Sequence, residues 1–342
     1  MTETVLVTGG TGFLGLHILL QLMKTDYNVR TTIRSLGKKN HVLKILKENG
    51  IDNLDRLSFY EANLTSDEGW DEAMDNVNYV LSVASPVFFD NSKKEIDAIR
   101  PATDGITRIL KMAQRKHVKR VVMTGNFGAI GFSNKPSSIP TTEEDWTKTD
   151  QPGISIYEKS KLIAEKAAWK IIDQPSNMLE FTTINPVAML GDSLDSHVSG
   201  SFDIITNILN GSMKRVPNIN LNIVDVRDVA ALHIKAMTEP KANHERFIAS
   251  ADGSISLPEI ANLVRHEYPD LAPKISSKIL PDWIIKLGSY FNQTAKEGKL
   301  LLEVNRNISN QKAKDILNWS PIADNKEIIF DSVNTLLKNN LI

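Results

Sequence analysis

The chain has no cysteine among its 342 residues, which excludes disulfides, thiolate metal sites and a cysteine nucleophile. Neither sign of charge is in excess. Forty basic residues against 41 acidic ones leave a net charge of -1, and no long run of either sign is present to gather the phosphates of a polymer or an anionic membrane. Nucleic acid and membrane are therefore not expected partners. No stretch approaches ~18 uninterrupted apolar residues, and the opening MTETVLVTGG lacks the basic and apolar regions of a secretory leader. The expectation is a soluble, cytoplasmic protein. The histidines are scattered without a local carboxylate-histidine pattern, so no metal site is expected. What remains, with 41% hydrophobic and 24% charged residues, is enough apolar material for a substantial core.

That material is arranged as an alternation. Short β-branched runs (TVLVTGG, NVRTTIR, RLSFYEANL, VNYVLSVASP, KRVVMTGN, EFTTINPVAML) are separated by longer helical patterns. Strands spaced by helices of this length imply right-handed βαβ units, hence an α/β fold with a doubly wound parallel sheet. After Leu190 the alternation weakens. LNIVDVRDVAALHIKAM (221–237) again reads as strand then helix, and from about Ser254 short helices are broken by Pro258, Pro269, Pro273 and Pro281.

Between the first strand and the first helix lies VLVTGGTGFLG. Glycine there permits a tight turn, close approach of backbone amides to a pyrophosphate, and close packing of helix on strand, with the helix N-terminus facing the anion. Two registers fit, Gly9-Gly12-Gly15 and Gly10-Gly12-Gly15. With Thr11, Phe13 and Leu14 they form the candidate dinucleotide cradle. The end of the second strand bears on which dinucleotide. A carboxylate about 20 residues beyond the glycines would accept hydrogen bonds from the adenosine ribose, but TTIRSLGKK carries Arg34 and Lys38 and no acid before Glu48. A guanidinium can clasp a 2'-phosphate that a carboxylate would repel. The expected cofactor is NADP(H).

In ISIYEKSK, Tyr157 and Lys161 are four residues apart, which puts both on one face of a helix. A phenol with a pKa near ~10 exchanges protons poorly at neutral pH, and a neighbouring ammonium with an oxidised nicotinamide would favour its phenolate. The bland alternative is a solvated face made of Glu158, Lys159, Lys161, Glu165 and Lys166.

Taken together, VTGGTGFLG, Arg34 with Lys38, ANL (62–64), VASPV (83–87), YEKSKLIAEKAAW and INPVAMLG resemble the extended short-chain dehydrogenases/reductases. The resemblance is to the branch of dihydroflavonol reductases, cinnamoyl-CoA reductases and yeast methylglyoxal (aldehyde) reductases, and it covers nearly the whole chain. It implies a Rossmann domain over 1–190, rejoined by 221–250, and a smaller substrate-binding lobe from 191–220 and 251–342. It also implies that nicotinamide C4 delivers hydride to a carbonyl carbon, that Tyr157 protonates the oxygen, and that Lys161 binds the nicotinamide ribose and shifts the Tyr157 pKa. Asn63 and Leu64 would flank the adenine, Val83, Ala84 and Ser85 would line the path to the nicotinamide ribose, and Pro186 with Val187 would approach the nicotinamide. One departure stands out. Where the family usually carries Thr-Ser-Ser after a strand, this chain has Thr124, Gly125 and Asn126. Asn126 then donates an amide hydrogen bond in place of the last serine, or Thr124 turns its hydroxyl inward, or the site is weakened.

Phe88, Phe127, Ile130, Phe132, Met189, His197 and Phe202 are candidates for an apolar, partly aromatic substrate cleft. The cinnamoyl-CoA branch often carries NWYCYGK at its tyrosine, and GISIYEKSK here disfavours that assignment. The expected activity is an NADPH-dependent reductase of an aldehyde or ketone, as monomer or homodimer. The alternatives are an epimerase, dehydratase or hydroxysteroid-type dehydrogenase on the same scaffold, and a non-catalytic NADP-sensing protein.

Overall fold

A computed structural model describes residues 2–85 and 95–342, the first four of the second segment by backbone alone. Phe88 lies outside the described residues. The sheet at the centre has seven strands: β1 (Thr4–Thr8), β2 (Asn28–Ile33), β3 (Leu57–Glu61), β4 (Tyr79–Ser82), β5 (Arg120–Thr124), β6 (Glu180–Pro186) and β11 (Glu245–Ala249). Their order is β11-β6-β5-β4-β1-β2-β3, and every pairing is parallel. The order reverses beside β1, so the carboxyl ends of β1 and β4 border a crevice of the kind in which doubly wound sheets bind ligands.

Side-chain alternation along a strand sends neighbours to opposite faces. In β1, Val5 and Val7 enter one core with α1 (Phe13–Leu22), α2 (Lys39–Glu48) and α7 (Val226–Thr238). Leu6 enters another, with α3 (Trp70–Met74), α4 (Glu95–Arg115) and α5 (Ile156–Ile172). The α5 helix starts where Ser155 and Glu158 form a capping box: the serine hydroxyl accepts from Glu158 N at 3.2 Å and the Glu158 carboxylate accepts from Ser155 N at 3.0 Å. That cap fixes the first turn, which carries Tyr157.

The remaining elements are short. Strand β7 (Ala188–Leu190) pairs with β10 (Ile223–Asp225), β8 (Val216–Pro217) with β13 (Ile279–Leu280), and β9 (Asn220–Leu221) with β12 (Ile255–Ser256). Around them lie α6 (Phe202–Leu209), α8 (Leu257–Glu267), α9 (Asp282–Gly288), α10 (Gln293–Glu303), α11 (Gln311–Leu317) and α12 (Asn325–Lys338). The expected strand and helix near 221–237 are present as β10 and α7, but β10 joins β7, and the strand that extends the main sheet is β11. The first core runs without a break from β1 to Val333 and Leu336 of α12. A separate apolar cluster of Phe127, Ile130, Phe132, Leu300 and Val304 ties the loop after β5 to α10. Among the described residues no helix is long and apolar enough to cross a membrane.

Candidate active site

The turn after β1 separates glycines required by the protein's own packing from one that is not. Gly9 has φ +76°, a region costly for residues with a side chain. A Cβ on Gly10 would overlap the Thr31 hydroxyl, and one on Gly15 would overlap the Gly9 carbonyl oxygen. A Cβ on Gly12 would meet only that oxygen, at 3.3 Å. Gly12 caps α1 with no side-chain hydrogen bond, and no acid occupies the first turn, so the amides and positive end of the helix are open to an anion. Thr11 is half-buried in this turn, whereas the side chains of Phe13 and Leu14 are buried in the core. Behind the turn the Thr8 hydroxyl accepts from the amides of Val83 and Ala84, each at 2.9 Å. These bonds hold the β4 loop against the glycines.

Arg34 and Lys38 are exposed just past β2, and their side chains have no hydrogen-bond or ion-pair partner among the described residues. Asn63 closes its own turn by accepting from Thr65 N at 3.2 Å, and the Leu64 side chain is buried, packed against Gly105 of α4. Leu64, Ser82, Ala84, Ser85, Thr124 and Lys161 line one small cavity, which brings the β4 loop and the lysine together. Pro186 is buried at the end of β6, and Val187 bridges the main core and the Phe127 cluster.

Tyr157 is 38% exposed, open to solvent on one side. Burial of the rest pushes its pKa up to about 12, the Glu158 carboxylate adds to the rise, and a hydrogen bond from the Asn126 side chain opposes it. This direction is opposite to the one expected from the lysine. Burial of the phenol outweighs any help from the Lys161 ammonium, which lies 5.9 Å from the ring centroid and whose own burial lowers its pKa to about 8. The free protein therefore presents a neutral phenol, the form that donates a proton.

The departure at Thr124-Gly125-Asn126 resolves into two different jobs. Asn126 Oδ1 accepts from Gly128 N at 2.6 Å, which leaves its amide NH2 as the donor facing the Tyr157 hydroxyl. The Thr124 hydroxyl is committed elsewhere: it lies 2.8 Å from His233 Nε2, while His233 Nδ1 lies 2.8 Å from the Val229 carbonyl. The carbonyl fixes the proton on Nδ1, so Nε2 accepts from Thr124. Burial pushes His233 down to about 4, and the pair stays neutral. The inward-turned Thr124 hydroxyl is thus corrected: its proton is held by α7.

The substrate candidates divide similarly. Phe202 is 1% exposed and packs edge-to-face on Phe13 at 5.5 Å, so it is a core residue and not a cleft residue. Phe127, Ile130 and Phe132 are buried under α10. Met189 is partly buried beside the main core. His197 is exposed, its amide donating to Asp195 Oδ1 at 2.8 Å. Sequence reading missed Glu165 and Asn185, both fully buried beneath this strand end. The available signal was the spacing of Glu165, one helical turn beyond Lys161.

The NAD dependent epimerase/dehydratase family matches residues 5–249. The chain belongs to that family. It is 32% identical over 289 residues to an uncharacterised oxidoreductase of Saccharomyces cerevisiae, covering 79% of this chain and 84% of the relative. It is also 29% identical over 319 residues to an anthocyanidin reductase of Vitis vinifera, covering 86% and 92%. Among solved structures, the yeast methylglyoxal/isovaleraldehyde reductase complexed with NADPH superposes with a TM-score of 0.80 at 25% identity, covering 98% of each chain.

Proposed function

We propose that this family member is an NADPH-dependent carbonyl reductase acting on an aldehyde or ketone, with Tyr157 as proton donor. Residues 1–190 and 221–250 would hold the cofactor, and 191–220 with 251–342 the substrate. The observation that carries the reading is the convergence of a neutral Tyr157 phenol, the Asn126 amide and a buried Lys161 at the carboxyl edge of the sheet. The NADPH bound by the yeast neighbour and the relatives named as reductases support it.

The residues present fit the cofactor. The uncapped N-terminus of α1 and the space above Gly12 suit a pyrophosphate, and the exposed Arg34 and Lys38 suit a 2'-phosphate. When bound, NADPH supplies the hydride. Lys161 would hydrogen-bond the nicotinamide ribose hydroxyls, Asn126 Nδ2 would donate to the carbonyl oxygen of a substrate, and Tyr157 Oη would give that oxygen its proton. Because Asn126 and the phenol share one small region, the oxygen they polarise is also the one that is protonated. The test is NADPH consumption against a panel of aldehydes and ketones, with NADH as comparator. Turnover is expected with NADPH and weakly or not at all with NADH; binding without turnover on any carbonyl would overturn the reading.

A further inference from the structure

Gly125 sits between the two residues just separated, and its missing side chain has a cause. A Cβ there would overlap Asn185 Nδ2 and come within 3.0 Å of Glu165 Oε2. Asn185 Nδ2 donates to Glu165 Oε2 at 2.7 Å and to the Asn126 carbonyl at 3.3 Å, while Asn185 Oδ1 accepts from Thr183 at 2.8 Å. The other carboxylate oxygen of Glu165 accepts from Arg246 Nε at 2.8 Å. Glu165, Asn185 and Thr183 are fully buried. The Arg246 guanidinium also donates to the carbonyls of Glu143 and Asp145 and lies 3.7 Å over the Trp146 ring.

A buried ion pair is weak evidence for stability, since apolar residues of similar volume do as well. What distinguishes this carboxylate is its two neighbours. One is Asn185, which holds the main chain of Asn126. The other is Lys161, one turn back on α5, whose charge Glu165 favours across the protein interior. Among the described residues, those that line the small cavity with Lys161 carry no charge: Leu64 after β3, Ser82 and Ser85 of the β4 end, Ile106 of α4, and Met123 and Thr124 of β5. On its far side Glu165 faces Arg246, behind which Glu143 accepts from Ile248 N.

We propose that Glu165 is a positioning residue shared by both halves of the site: through Asn185 it fixes the strand end that carries Asn126, and it supplies the counter-charge for Lys161. This rests on the carbonyl-reductase reading above. Glycine at 125 is the steric consequence, because the space a serine would need is filled by the network.

The experiment compares Glu165→Gln and Asn185→Ala with the wild type in two measurements: NADPH affinity by fluorescence titration across the alkaline range, and turnover of isovaleraldehyde. Removing the carboxylate charge lowers the Lys161 pKa further, so in Glu165→Gln the pH at which NADPH affinity falls to half moves down by about one unit. Asn185→Ala, which leaves every charge in place, keeps that midpoint and loses about tenfold in kcat. Glu165→Gln leaves Arg246 unpaired, so Glu165→Gln/Arg246→Met is made alongside it, with circular dichroism to confirm folding; the same midpoint shift is expected. A folded variant lacking Glu165 with the wild-type midpoint, or Asn185→Ala with wild-type kcat, overturns the proposal. The affinity measurement needs no turnover, so a wild type that binds NADPH but reduces no carbonyl refutes the reductase reading while still testing the Glu165–Lys161 link.

Discussion

Two strand ends on the same edge of the sheet, those of β1 and β5, both rely on glycine, for opposite reasons. After β1, Gly10 and Gly15 are forced by close packing, whereas Gly12 has almost nothing above it but the open N-terminus of α1. Its missing side chain leaves room for something from outside the protein. After β5, Gly125 faces Asn185 and Glu165, and its missing side chain leaves room for the protein itself. A glycine motif therefore does not by itself mark a ligand. The distinction lies in what a Cβ would touch.

The largest effect expected from this comparison is at the residue the β5 end carries. Asn126→Ala removes the amide donor and should lower kcat by about 10²- to 10³-fold with NADPH affinity unchanged, as steady-state kinetics and a binding titration would read. Gly125→Ser comes next. Although it restores a hydroxyl, it should destabilise the fold by about 1–3 kcal/mol through overpacking and lower turnover; denaturant melts and activity that match the wild type would remove the packing account. Gly12→Ala should sharpen the contrast: the melting temperature stays close to wild type while NADPH binds roughly tenfold more weakly, a cost of about 1.4 kcal/mol. The smallest effect on activity belongs to Thr124→Val, which leaves His233 Nε2 without its donor. It should cost about 1–3 kcal/mol of stability for the unsatisfied buried group, with kcat within a few-fold of wild type.

Much of the β1 end was legible in the sequence because local pattern decides it. A hydrophobic strand, a glycine turn and a helix adjoin in the chain, and the cations after β2 follow at fixed spacing. The β5 end was only half legible. Where the Thr124 hydroxyl turns depends on His233, 109 residues away, and no local pattern reports it. Glu165 reads from sequence like one more solvated charge on α5, yet it is fully buried against Arg246. Phe202 has the composition of a cleft aromatic, but its partner Phe13, almost two hundred residues earlier, draws it into the core. Substrate candidates were the least legible group, since an aromatic that packs a core and one that lines a cleft have the same composition.

The claim most exposed to test is that the Tyr157 phenol delivers the proton. Single-turnover oxidation of bound NADPH by an aldehyde, followed in wild type and Tyr157→Phe at equal cofactor saturation, addresses it directly. The account predicts a rate lower by about 10²- to 10⁴-fold in the variant with unchanged NADPH affinity. A variant that oxidises NADPH at the wild-type rate would contradict it.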